Sequence, residues 1–290
     1  MSVKDIVVNC LSQRTITRIK ESRYFNDTDY SIELIRRNSE FKDKYMGRRC
    51  FILGNGPSLN NFDLGLLANE YTFSVNQISR RDDYPKLKTN FHCWQDRRFF
   101  DIDKNRPEDL ELLEVMRKVN TEDNKPVVFY SIEAFEMIKQ YRLDDILNIY
   151  YLALDSMPQK MLEKRMDFSH LTMSFPTVVQ SIICLAVYMG FEEIYLLGCD
   201  CTGFITIAET HLNSNLNNVY GYTLTENEKK RMRNASVKTS IRDELNWYVK
   251  LFDDYELIKQ YCIRNNVKLF NATDGGLLEC LDRIEIKKVL

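Results

Sequence analysis

The chain is short of the residues that interrupt regular structure. It has 10 Gly and 6 Pro in 290 residues, which excludes collagen-like, repetitive and low-complexity disordered chains. It is short of net charge as well: 40 Lys and Arg against 42 Asp and Glu leave −2, so there is no bulk basic face, and nucleic acid is not an expected partner. No apolar run approaches the ~18 residues of a spanning helix, and no basic-apolar-small leader pattern opens the sequence. The expected location is cytoplasmic, the inner face of a membrane included. The cysteines Cys10, Cys50, Cys93, Cys184, Cys199, Cys201, Cys262 and Cys280 lie scattered inside apolar runs and read as reduced, buried thiols. Cys199 and Cys201 form a C-x-C without further Cys or His at ligand spacing, so no metal is expected.

What is present is a folding pattern. Hydrophobic residues make up 44%, with 16 Tyr and 16 Phe, enough for a sizeable core. Residues 1–47 carry apolar positions at helical spacing among many charges and read as an N-terminal helical extension. Packing on the sheet edge is its plain role; contact with a membrane surface or with a second copy is the alternative. From Cys50 onward short apolar runs alternate with helical patterns: "CFILGN", "YTFSVNQ", "TNFHCW", "KPVVFYS", "NIYYLAL", "EEIYLLGCD" and "VKLFNAT". That alternation predicts an α/β fold over 48–290, a Rossmann-like, mostly parallel sheet flanked by helices. The polar stretch at about 203–240 reads as a mobile lid region.

In such sheets ligands sit beyond the carboxyl ends of the strands. The first strand ends in Gly54-Asn55-Gly56-Pro57-Ser58, where glycines allow close backbone approach and Ser58 can cap a helix. A tight corner and a ligand floor are both open readings. The second strand ends in Asn76-Gln77, two amides suited to a base or sugar edge or to a turn. Around the third end lie His92, Gln95, Asp96, Arg97 and Arg98, of which the arginines could clamp phosphate. Ser174 and Thr177 bracket Pro176 at the start of a thoroughly apolar helix, and Gly198-Cys199-Asp200 closes the next strand. Asp200 could bind a ribose hydroxyl, serve in catalysis or cap a turn. His211 sits in a polar stretch and has the ordinary pKa for general acid–base work.

In order and spacing, "FILGNGPSL", "FSVNQ" and "MGFEEIYLLGCD" resemble the bacterial sialyltransferases that use CMP-activated sialic acid, and the related motility accessory factors and hydroxymethylpterin diphosphokinase-like proteins. "VKLFNATDGGLLE" and the "ETH" of Glu209 to His211 look more like the second group. The resemblance covers roughly residues 46–280. It implies a cytidine nucleotide held at the strand ends, transfer without metal or other cofactor, and a histidine base. By position, Asn55, Ser58 and Asn76 become donor contacts, Thr177 supports the donor sugar, and Gly198 with Asp200 falls where the nucleotide binds. The sialyltransferase tyrosines that stabilise the leaving phosphate are absent just after Asp200, and Tyr220 and Tyr222 are the candidates to replace them. The function implied is a glycosyltransferase of bacterial surface polysaccharide or glycoconjugate assembly, with a nucleotide-sugar donor and a glycan or lipid-linked glycan acceptor as partners. His211 and Asp200 are then the expected catalytic pair. Gly54, Asn55, Gly56, Ser58, Asn76, Gln77, Asp96, Ser174, Thr177, Gly198, Tyr220 and Tyr222 are the expected binding set. A magnesium-dependent diphosphokinase using ATP and a silent nucleotide-sugar-binding protein are the alternatives.

Overall fold

The computed structural model describes residues 11–26, 30–205, 220–235 and 240–290. Among the described residues there are ten strands: β1 (Arg49–Leu53), β2 (Tyr71–Val75), β3 (Phe91–Trp94), β4 (Val127–Ser131), β5 (Asn148–Leu152), β6 (Leu154–Asp155), β7 (Thr172–Met173), β8 (Glu193–Leu197), β9 (Lys268–Asn271) and β10 (Asp282–Arg283). Eight of them form one sheet in the order β10-β9-β8-β1-β2-β3-β4-β5. All seven pairings in it are parallel. Strands β6 and β7 pair separately, also in parallel. The chain starts in the middle of the sheet, builds outward to β5, then returns to lay β8 on the free side of β1. Winding direction reverses between β1 and β8, which makes that gap the topological switch point.

Burial explains why these runs are strands. In β1 the alternate residues Cys50 and Ile52 enter one apolar cluster, while Phe51 and Leu53 enter another on the opposite face. A parallel sheet covered on both faces needs such continuous apolar runs. Five helices longer than eight residues are described: α1 (Gln13–Asn26), α2 (Pro107–Arg117), α3 (Val178–Met189), α4 (Glu226–Ala235) and α5 (Ile241–Arg264). Helix α3 is buried along almost its whole length. A capping box between Thr177 and Gln180 starts it, and Gly190, at φ 95°, ends it. Because α3 leads directly into a parallel strand, it runs against the strands and its N-terminus lies at their carboxyl edge. Gln180 also donates through Nε2 to the Leu251 carbonyl at 2.9 Å, which ties α5 to α3.

The N-terminal segment contributes to the same core. Ile16, Ile35 and Phe41 are buried with the sheet residues, and the Phe41 ring meets Phe91, Phe129 and Tyr150 edge-on. Of the described cysteines, Cys50, Cys93, Cys184, Cys199 and Cys262 are buried and Cys201 and Cys280 partly so, all as free thiols. Among the described residues no helix is long and apolar enough to cross a membrane.

Backbone approaches backbone closely where β1 leaves the sheet beside β8. A Cβ added at Gly54 would collide with the backbone carbonyl of Gly198. Backbone atoms cannot swing aside as a flexible side chain does, so Gly54→Ala should cost about 1–3 kcal/mol. The expected result is a lower urea midpoint with an unchanged m-value; an unchanged midpoint would show that the two strand ends separate freely.

Candidate functional site

At the switch point the ends of β1 and β8 interlock. Gly54 N donates to Leu197 O and Gly56 N to Gly198 O, both at 2.8 Å. Ser58 donates twice to Asp200, from N to Oδ1 at 3.1 Å and from Oγ to Oδ2 at 2.8 Å. Gly56 has no room for a side chain because the Asp200 carboxylate fills the place. Burial raises the Asp200 pKa, while the Ser58 hydroxyl and amide pull it down. Gly54, Gly56, Ser58, Gly198 and Asp200 are therefore brought together, and they hold one another.

Asn55 points the other way, toward β2. Its Nδ2 donates to Val75 O at 3.2 Å, while its Oδ1 is buried without a partner among the described residues. The same is true of Asn76 Oδ1 at the end of β2 and Gln95 Oε1 just past β3. Asn76 takes a left-handed conformation with φ 47°, which Asn tolerates better than most residues. Three consecutive strand ends, β1, β2 and β3, thus carry a buried amide oxygen open to a donor. Leaving such groups unpaired costs about 1–3 kcal/mol each, so the row marks a place suited to a ligand rich in N–H or O–H groups.

A segment from Tyr220 closes over this edge. Gly221 N donates to Asn55 O at 2.8 Å, and Arg81 donates to Gly221 O at 2.6 Å and to Leu59 O at 3.1 Å. The Tyr220 and Tyr222 rings stack 5.2 Å apart. Burial raises the pKa of both hydroxyls, and the positive fields of Arg98 and Arg231 oppose that rise at Tyr220. Helix α4 follows and is fastened by charge. Glu228, 1% exposed, receives hydrogen bonds from Gln77, Arg80 and Arg231, and Arg80 also pairs with Glu111 of α2.

The remaining sequence candidates lie as follows. Gln77 is buried with both ends of its amide engaged, Nε2 on Glu228 and Oε1 receiving from Arg80 at 2.6 Å. Asp96 caps the turn at Arg97–Phe99 and pairs with Arg98. Arg97 pairs with Glu133. Ser174 N donates to Asp155 O at 2.8 Å, and Thr177 caps α3. His92 is fully buried in β3, with Nδ1 sharing a hydrogen bond with Ser74 Oγ at 2.7 Å; burial lowers its pKa to about 3, against a smaller upward pull from the Asn76 backbone. His170 lies beside Arg36 and Glu21. Glu209 and His211 lie outside the described residues, as does much of the 203–240 region. Among the described residues no group of three or more His, Cys, Asp or Glu could hold a metal ion.

Sequence reasoning placed Gln95 at the third strand end without counting it in the binding set, and did not select Arg81, Glu228 or Arg231. Gln95 carries a usable signal, since it directly follows a strand and so falls under the same rule that singled out Asn76. The others act through partners far along the chain and leave no local trace.

No protein-family model and no curated protein matches the chain. Among solved structures it is similar to the MAf glycosyltransferase from Magnetospirillum magneticum AMB-1, at 16% identity over 88% of this chain, with a TM-score of 0.49. The match spans 38% of that protein's length. It is also similar to the sialyltransferase CstII from Campylobacter jejuni, in complex with a substrate analogue, cytidine-5'-monophosphate, at 17% identity, 82% of this chain, 85% of that one and a TM-score of 0.45. The monofunctional α-2,3-sialyltransferase Cst-I of the same organism matches at 17% identity over 81% of this chain and 78% of its own, with a TM-score of 0.44.

The charge cluster under α4 makes a direct prediction. Glu228→Ala leaves Arg80 and Arg231, whose side chains are 6% and 8% exposed, without their shared carboxylate. Breaking a buried pair from one side costs about 3–5 kcal/mol, so the variant should melt well below the parent in differential scanning calorimetry. An unchanged melting temperature would mean that α4 is not held by this cluster.

Proposed function

We propose that the chain is a glycosyltransferase that moves a sugar from a nucleotide-activated, CMP-linked donor to a glycan or lipid-linked glycan acceptor in bacterial surface polysaccharide or glycoconjugate assembly. The observation that carries this reading is the row of buried amide oxygens on Asn55, Asn76 and Gln95, running from the switch point along the strand ends, that have no partner among the described residues. Oxygens in that position accept from the exocyclic amine of cytosine and from ribose hydroxyls, whereas a bare phosphate offers them nothing. The motif order that resembles the CMP-dependent sialyltransferases favours cytidine as the base of that nucleotide.

The roles in this reading join the geometry of the described residues to the motif resemblance. The Tyr220 and Tyr222 hydroxyls stay protonated near neutrality, since burial raises their pKa values. In this reading Tyr220, with Arg98 and Arg231 nearby, receives the negative charge of the departing phosphate, a task that needs fixed donors. Asp200 holds Ser58 and the corner in place. Of the three histidines, His92 is sealed in the core and His170 is engaged with Arg36 and Glu21, which leaves His211 as the base. His211 takes the proton of the acceptor hydroxyl as that oxygen attacks the anomeric carbon. The bond from that carbon to the phosphate oxygen breaks in the same step, and CMP leaves with the electron pair. The reaction is read as metal-independent, with the leaving charge carried by the protein.

Two measurements test this. Asn55→Ala should weaken CMP binding by about 1–3 kcal/mol in calorimetric titration, while the melting temperature of the unliganded protein changes little; equal affinities would remove the amide row from the nucleotide site. His211→Ala should lower turnover of a CMP-linked sugar by ~10²–10⁴-fold and leave CMP affinity nearly intact. Near-normal turnover in that variant would take His211 out of the mechanism.

A further inference from the structure

A concavity lies on the same edge of the sheet as the candidate site, farther from the switch point. Tyr24, Tyr30, Arg97, Phe100, Asp101 and Glu133 line an open cleft of about 500 Å³. Arg97 follows β3 and Glu133 follows β4, so the cleft sits beyond the carboxyl ends of these two strands. Its far wall comes from α1 and the residues after it. Strands lie ~4.8 Å apart, which puts the cleft roughly 10–15 Å along the edge from the end of β1, a distance of two to three strands. It adjoins the proposed nucleotide site through neighbouring residues: Arg98 acts on Tyr220, and Arg97 beside it lines the cleft.

The lining has two parts. Tyr24, Tyr30 and Phe100 offer aromatic surface, and Tyr30 and Phe135 stand edge to face with ring centres 6.2 Å apart. Arg97 and Glu133 form a side-by-side pair of guanidinium and carboxylate, exposed on the arginine side. Such a pair presents donors and acceptors together, as vicinal hydroxyls require, while aromatic faces cover the C–H faces of a pyranose ring. Arg97 pairs with Glu133 and Arg106 with Asp101, so the described charges at the lining are balanced and leave no surplus positive charge to hold an anionic sugar. The cleft size is in the range of small-ligand sites, ~300–1,000 Å³.

We propose that this cleft binds a neutral hexose unit of the acceptor glycan, set back from the reacting end and laid along the strand edge. The inference rests on the glycosyltransferase reading above. It gives the N-terminal segment a part in acceptor choice through Tyr24 and Tyr30.

The test uses the full chain, fluorescently labelled, on an array printed with neutral oligosaccharides (lactose, cellobiose, maltotriose) and their sialylated or sulfated counterparts. The strongest neutral glycan is then titrated into the parent, Tyr24→Ala and Arg97→Ala. Arg97 is an exposed side chain, so its variant keeps the fold testable if Tyr24→Ala proves unstable. CMP is titrated into the same three proteins. The expected result is binding of a neutral glycan that falls at least tenfold in both variants with CMP affinity unchanged. Equal glycan affinity in parent and variants, preference for the anionic glycans, or CMP binding with no glycan binding would each overturn the cleft assignment alone. Failure to bind either CMP or glycan would overturn the glycosyltransferase reading beneath it.

Discussion

Everything at the carboxyl edge of this sheet depends on how closely β1 and β8 finish together. Four stretches of chain meet there, with the Asp200 carboxylate and the Leu59 side chain packed directly against their glycines. Gly54 and Gly56 come in from β1, Gly198 and Asp200 from β8, Gly221 from the segment above, and Gly276 from the C-terminal loop. A Cβ at Gly276 would stand 2.8 Å from Asp200 Cα, and one at Gly198 would stand 2.6 Å from the Leu59 side chain. A chain with only 10 glycines has placed half of them at one corner. Gly198 and Gly276 also take positive φ, at 64° and 76°, where a side chain would be strained as well as crowded.

That packing decides what kind of surface the corner offers. In glycine-rich phosphate loops the backbone N–H groups face the anion. Here the amides of Gly54, Gly56 and Ser58 are committed to Leu197 O, Gly198 O and Asp200 Oδ1. The groups left without a partner among the described residues are buried side-chain amide oxygens instead, on Asn55, Asn76 and Gln95. In the proposed site, acceptors of this type discriminate by hydrogen-bond donors rather than by charge, which suits a base or sugar better than a bare phosphate. Left-handed φ at the non-glycine residues Asn76 and Cys201, 47° and 54°, is a local cost, and costs of that sort concentrate where a site must be held in one shape.

The parallel sheet could be read from the sequence because most of its strands are short, largely apolar runs bounded by polar or glycine turns. The strand-end rule then pointed to Gly54–Ser58, Asn76 and Gly198–Asp200 before any packing was considered. What could not be read was the use made of each group. Nothing near Gln77 signals that its amide is consumed by Glu228 and Arg80, since Glu228 lies some 150 residues away. Nor does a local pattern show that the glycines face β8. The separate β6–β7 ribbon and the two-residue β10 escape periodicity because two residues carry none. The cleft at Tyr24, Arg97 and Glu133 joins three distant segments and has no motif at all.

Helix α4 poses a different physical problem, since its sequence "ENEKKRMRNA" has hardly any apolar surface to bury. Hydrophobic contact cannot dock such a helix, so charge has to. Two arginines, Arg80 and Arg231, meet two glutamates, Glu228 and Glu111, and Gln77 and Thr225 fill remaining hydrogen-bond positions. Burying charges gains little net stability even when they are well paired. What the arrangement supplies is direction, because a guanidinium fork and a carboxylate fit in few relative positions. Fixing α4 fixes the Tyr220–Leu224 segment before it, which is also tied to Asn55 through Gly221 and to the β2 end through Arg81. Floor and roof of the site are therefore held by one connected set of hydrogen bonds, so a shift of either strand end or of α4 moves Tyr220 relative to Asn55.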